Sequence, residues 1–339
     1  MRLKGRLTAR FGGTFAASVL TFGCLVGTAA PARASPTEPF DYQVTPGADP
    51  YRDIPGTEVT FTAVAGERSY LWSRNVVVSN VTSLREEDVV GTTLSIRCSY
   101  AGGTPETAPL PAKVEAGAYW AANFLPTKET AQSPTVRWAF VAPEQGTYSC
   151  RLSVTSYSSI VASGREVTMR VDPGAELARA TYPYTARWTL PEENQRVVES
   201  GTTATTLGYT IAPTGADRIA VVQDTALTTC KAGSKICPGG TTAYDGTSVQ
   251  TWIEAQPQRP DGTRCGSPKV STTATWRISD AKHHQASANT LYLATADLGG
   301  CPRVRVSLKV RNTWGNPVVI HAGHVTGHIA RTHGLAFTY

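Results

Sequence analysis

All six histidines of the chain lie beyond residue 282: His283, His284, His321, His324, His328 and His333. Neutral imidazoles ligate metals, so the cluster His321, His324 and His328 is the first place to look for chemistry. On a strand, His324 and His328 would share a face but stand roughly 13 Å apart at ~3.3 Å per residue. On a helix they would be neighbours, but Gly323, Gly327 and the β-branched Val325, Thr326 and Ile329 oppose a helix. The three are therefore candidate metal ligands set against an ordinary reading as solvated loop or strand histidines. His283-His284, following Asp280, reads as a turn.

Other reactive constellations leave little trace. There is no Gly-x-Ser-x-Gly elbow, no His-Glu-x-x-His, no P-loop and no Gly-x-Gly-x-x-Gly opening a helix. Glu86, Glu87 and Asp88 fall in a turn, where solvation is the default. No cofactor is implied. The seven tryptophans (72, 120, 138, 188, 252, 276 and 314) offer another chemistry. An exposed indole stacks against the C–H face of a sugar ring, whereas a buried one packs a core. Trp252 and Trp314 adjoin polar or turn residues and are the candidate carbohydrate platforms.

The cysteines and the charge depend on the first 34 residues. Arg2, Lys4, Arg6 and Arg10 form a basic head, an apolar stretch runs from Phe15 to Val26, and Ala32-Arg33-Ala34 is a small-x-small exit. These are the three parts of a secretory signal peptide, with cleavage before Ser35. Gly23, Gly27 and Thr28 dilute the apolar stretch below what a membrane span needs. The segment carries five of the 32 basic residues and no acidic one, so 27 basic face 26 acidic residues in the remainder. The formal charge drops from +6 to +1. With Cys24 gone, seven cysteines become six, an even set that reads as three disulfides in a secreted chain. Without a basic run or a second apolar span, nucleic acid and membrane both lose support as partners.

The elements that would hold these residues are strands. Residues 35–56, with prolines at 36, 39, 46, 50 and 55, read as an extended Pro-rich arm, because proline denies the backbone its donors. From residue 57 onward, Val-, Thr-, Tyr- and Trp-rich runs at 58–63, 75–81, 92–100, 135–141, 147–155 and 165–172 are separated by turn formers, the pattern of an all-β sandwich. Leu94, Ile96 and Cys98 share one face of a strand, as do Tyr148, Cys150, Leu152 and Val154. Residues 174–183 read as a linker, and a second β region fills 184–339. There Arg218 to Cys230 and the alternating Val304, Val306, Leu308 and Val310 stand out.

Glu144-Gln145-Gly146-Thr147-Tyr148-Ser149-Cys150 resembles the Asp-x-Gly-x-Tyr-x-Cys motif of immunoglobulin domains. The resemblance implies a tyrosine corner at Tyr148 and a Cys98–Cys150 bridge between two sheets. Glu144 stands where that family has Asp, and Trp120 or Trp138 would supply the core tryptophan. The order of strands and cysteines in residues 184–339 echoes the first region, so the expectation is two tandem Ig-like β-sandwiches. Cys230–Cys301 with Cys237–Cys265 fits that echo. Cys230–Cys237 with Cys265–Cys301 is the rival. Residues 82–90 and 140–150, with the Arg-rich, Ala- and Thr-rich composition, are similar to an uncharacterised group of secreted actinobacterial proteins.

The function expected is a secreted, extracellular binding or adhesion protein, or a subunit of an extracellular complex, that carries out no catalysis. Its partner would be a protein or a polysaccharide. A carbohydrate-binding protein is the first alternative, and a secreted hydrolase whose site no motif marks is the second.

Overall fold

β-branched and aromatic residues interrupted every few positions by Gly, Pro, Asn and Asp favour short strands, and strands are what form. The computed structural model describes residues 38–44, 47–48, 51–100, 119–160, 165–181, 186–189, 195–234, 237–321 and 332–339. Among these the single helical element is one 3-10 turn, Thr295–Leu298, and every strand ladder is antiparallel. Residues 1–34, expected from sequence to be a signal peptide, lie outside the described residues. Residues 33–339 make one compact unit.

Within that unit each sheet draws its strands from one side of residue 183 only. The first half holds three sheets. The largest is built on Val89–Tyr100 and Gly146–Ile160, with Tyr119–Asn123 and Val59–Ala63 beside them. A second places Arg68–Arg74 between Arg137–Val141 and Glu176–Thr181. A third contains Val167–Val171 and Val78–Asn80. Their inward faces share one core that includes Leu71, Ile96, Phe140, Tyr148 and Met169. The second half packs a sheet built on Arg218–Thr229 against one built on Thr247–Gln258 and Arg303–Gly315.

Two segments expected to be connectors are structural strands. In the Pro-rich stretch, Phe40–Val44 pairs with Val167–Val171, and Arg52–Asp53 pairs with Gly146–Ile160. Tyr42, Val44 and Ile54 are buried. Pro39 precedes the first of these strands and Pro55 follows the second, so neither costs a ladder bond. Tyr42 is enclosed deeply enough that burial pushes its phenol up to about 12, against the opposing hydrogen bond from Ser156. The linker expected at 174–183 contains Glu176–Thr181, which pairs with Arg68–Arg74 and buries Leu177 and Ala178. It completes the first half.

The bridges correct the expectation once and decide between its two alternatives once. Cys98 and Cys150 are bonded, but they are directly opposed neighbours on adjacent strands of one sheet, with Cα atoms 4.0 Å apart. The bridge does not cross between sheets as the immunoglobulin resemblance implied. Shared parity on two alternating strands fits a same-sheet pair as well as a facing pair, and the register chose the former. In the second half the pairs are Cys230–Cys237 and Cys265–Cys301. The Cys230–Cys301 and Cys237–Cys265 arrangement does not form. Cys230 follows directly after Arg218–Thr229, and a short turn returns the chain to it at Cys237.

Arg218–Thr229 shows why the halves are joined. All its residues after Arg218 are buried, on both faces. Ile219, Val221 and Leu227 face the second core, while Ala220 and Val222 pack with Leu335 and Phe337 against Tyr70 and Ala139 of the first half. A strand covered on both sides loses polar alternation, which is the texture of Ile219-Ala220-Val221-Val222.

Candidate functional site

Asp224 lies in the middle of that doubly covered strand. A carboxylate there must find partners, because an isolated buried charge is prohibitively costly. Arg137, on the Arg137–Val141 strand of the first half, supplies them. Its guanidinium forms a fork on both Asp224 oxygens and also donates to Gln223 O (3.2 Å), Asn289 O (3.0 Å) and Thr290 Oγ1 (2.6 Å). His333 Nε2 stands 3.0 Å from Asp224 Oδ2. Burial opposes ionisation of Asp224, but Arg137 and His333 outweigh it, and its carboxyl is held below the usual range. Arg137 and Asp224 are each 6% exposed and His333 1%. The trio is a sealed ionic joint between the halves.

Beside this joint, the surface where the halves meet is concave. A cleft of about 380 Å³ is lined from the first half by Trp120, Glu129, Gln132, Ser133 and Thr135, and from the second by Trp276, Lys282 and Gln285, with alanines 122, 131, 286 and 288 between them. Each indole is pinned by its own half. Trp120 belongs to the first core and is 9% exposed. Trp276 packs against the second core, and its indole N–H donates to Ser287 Oγ at 2.8 Å. Ser287 is bonded to Thr251 Oγ1, which donates to Asn289 Oδ1. That chain of side chains fixes the plane of the Trp276 ring.

The polar wall is also cross-linked between the halves. Lys282 pairs with Glu129, and the His284 backbone N–H donates to Asn123 Oδ1 at 3.1 Å. Gln132 Nε2 donates to Asn123 O (2.7 Å) and to Glu129 Oε2 (3.2 Å), while its Oε1 accepts no hydrogen bond among the described residues. The cleft therefore presents two fixed indoles, amides, hydroxyls and one mutually neutralised charge pair.

The residues expected from sequence are placed elsewhere. Trp314 is exposed on the outer side of Arg303–Gly315, with Arg277 over its ring at 4.2 Å and Tyr244 edge-on at 5.1 Å. Trp252 is half-buried and opposite Lys309 in the same ladder. Trp314 pairs with Ser248, four residues from Trp252, so the two positions are roughly 13 Å apart along the ladder at ~3.3 Å per residue.

Of the candidate metal set only His321 lies among the described residues. His321 is buried, its Nε2 2.6 Å from Thr228 Oγ1, and the same hydroxyl lies 2.5 Å from His284 Nδ1. One hydroxyl between two imidazoles locks complementary tautomers. His324 and His328 lie outside the described residues. Among the described residues no three His, Cys, Asp or Glu side chains could hold a metal. His283 occupies a turn with φ 56°. Burial, with Lys231 nearby, brings its imidazole down to about 4, and burial with His283, His321 and Lys231 pulls His284 well below the usual range.

Tyr148 is buried, and its hydroxyl donates to Glu144 O at 2.6 Å, a return to the backbone four residues upstream. That is the tyrosine-corner contact, here on a strand whose cysteine bonds within its own sheet.

Sequence reasoning missed Arg137, Asp224 and His333 as a set, and missed Trp120 with Trp276. A signal existed for the first: Asp224 is the lone acid in an apolar strand, which requires a buried cation. Nothing local pointed to the second.

No protein-family model matches the chain, and no curated protein matches it. Among solved structures, infectious bursal disease virus Gt strain is 12% identical, with 89% of this chain and 75% of that chain covered and a TM-score of 0.28. The tandem CBM22-1–CBM22-2 domain of Xyn10C from Paenibacillus barcinonensis is 11% identical over 83% and 82% of the two chains, with a TM-score of 0.22. The stem and receptor-binding domain of the spike protein P1 from bacteriophage PM2 is 9% identical over 85% and 97%, with a TM-score of 0.24. Likenesses this low carry no argument about architecture or role.

Proposed function

We propose that the protein is exported and works outside the cell as a binding protein without catalysis of its own, and that the cleft at the meeting of its halves receives the ligand. The cleft carries this reading. It is a concave surface to which both halves bring rigid aromatic and polar groups, and preorganised groups bind at the least entropic cost. The constellation most suggestive of catalysis, Asp224 with His333 and Arg137, is closed to solvent and occupied in joining the halves. Three disulfides suit an oxidising compartment. No helix among the described residues is long and apolar enough to cross a membrane. The signal peptide and the similarity to exported actinobacterial proteins agree with the same location. The tyrosine corner supports an immunoglobulin-like ancestry for the first half, with its bridge relocated.

The test is ligand-observed NMR on a mixed small-molecule library, comparing the mature protein with Ala131→Trp. Ala131 is exposed on the cleft wall, so a large side chain there blocks the cleft without entering a core. Compounds that bind the wild type and are lost on Ala131→Trp support the proposal. No binding at all, or binding indifferent to the block, overturns it.

A further inference from the structure

The lining of the cleft also specifies the kind of ligand, and here we infer that it takes a neutral saccharide, held between Trp120 and Trp276. The inference rests on the cleft being the binding site. Three observations select the class. Glu129 and Lys282 face each other across the halves and neutralise one another, so the cleft holds no unopposed charge for a phosphate, a carboxylate or an ammonium group. Trp276 is partly exposed and Trp120 keeps a small exposed area in the lining, so the cleft offers aromatic surface to a ligand with an apolar face. Ser133 and Thr135 supply hydroxyls that both donate and accept, Gln285 adds an amide, and Gln132, whose Nε2 is held by Asn123 and Glu129, keeps Oε1 as a buried acceptor without a donor.

A ligand that is uncharged, apolar on its ring faces and ringed by hydroxyls at its edge satisfies all three. A pyranose is such a ligand: its axial C–H bonds carry slight positive charge and pack on the negative face of an indole, while equatorial hydroxyls reach the amides. A purely apolar ligand would cover the Ser133 and Thr135 hydroxyls and leave Gln132 Oε1 without a donor. A volume of about 380 Å³ suits a short saccharide or the end of a chain.

Trp276 is the better lever, because its ring is oriented by Ser287. The experiment is calorimetric titration of the full mature protein with neutral cello-, malto- and chito-oligosaccharides, a uronic-acid oligomer and an uncharged capped tetrapeptide. The same titrations are run on Trp276→Ala, Trp276→Phe and Ala131→Trp. We expect one neutral series to bind, with affinity down about tenfold or more in Trp276→Ala and retained to within a few fold in Trp276→Phe. Ala131→Trp should abolish binding. It also serves if Trp276→Ala fails to fold. Saccharide binding that survives Ala131→Trp overturns the inference. So does a cleft that takes the peptide or the acidic oligomer and no neutral sugar, although the cleft would then still be a binding site. If no compound here or in the wider library binds, both readings fall together.

Discussion

Replacing Arg137 by Met should be the most damaging single change at the junction of the halves. Met keeps the aliphatic volume and removes the guanidinium. Asp224 would then stay buried with His333 as its remaining side-chain neighbour in the trio, and Gln223 O, Asn289 O and Thr290 Oγ1 would lose a donor. Breaking a buried pair by removing one partner costs about 3–5 kcal/mol. With a urea dependence near 3 kcal/mol/M, that lowers the unfolding midpoint by about 1–2 M. The companion variant is Asp224→Leu in the Arg137→Met background. It removes the stranded carboxylate and should recover at least half of the loss, because an apolar pair of similar volume is commonly tolerated where an ion pair was. Urea unfolding followed by circular dichroism, for the wild type, both singles and the double, gives the coupling energy directly. A loss under about 1 kcal/mol for Arg137→Met, or a double variant no more stable than the single, would refute the view that this ion pair is a sealed joint.

Three further outcomes follow from the same contacts. Acid should weaken the protein in two stages. The folded state holds a proton on His283 and His284 less readily than the unfolded chain does, so stability is full above about pH 6.5 and declines toward pH 4, and His283→Gln should flatten that limb in pH-dependent melts. Asp224 acts lower down: its folded carboxyl titrates below the unfolded value, so its contribution is full above about pH 4 and is lost as pH falls further, and in Arg137→Met the lower limb should move upward in pH. From loop lengths of 52, 36 and 7 residues, removing Cys98–Cys150, Cys265–Cys301 or Cys230–Cys237 by paired Cys→Ser changes should cost about 4, 4 and 2 kcal/mol, and denaturant curves that reverse this order would show strain outweighing chain entropy. Tyr148→Phe deletes the hydroxyl that donates to Glu144 O at 2.6 Å and accepts from Glu144 N at 3.2 Å and should cost about 1 kcal/mol, and an unchanged melting curve would remove the corner from the list of stabilising contacts.

How far the sequence reveals this fold depends on the range of the interaction that decides each feature. Strand identity is local, and the runs near 92–100, 147–155, 218–230 and 304–310 lie within the strands Val89–Tyr100, Gly146–Ile160, Arg218–Thr229 and Arg303–Gly315 apart from the one residue Cys230. Sheet membership is not local. Leu94, Ile96 and Cys98 alternate identically whether Cys150 lies across a sandwich or on the next strand, so the bridge position was open. Proline counts mislead in 35–56, because prolines between strands cost no ladder bonds. The joint is the hardest case. Arg137 and Asp224 are separated by 87 residues and belong to different sheets, and no periodicity links them. The two cleft tryptophans belong to separate cores, and both line the cleft where the halves meet.

The most direct test of the cleft as the working surface is a crystal structure of residues 35–339 grown with the tightest ligand from the titrations. The account predicts that ligand between Trp120 and Trp276, within hydrogen-bond reach of Gln132 or Gln285. Ligand seated at the exposed Trp314 and Tyr244 patch, with the cleft empty, would contradict it.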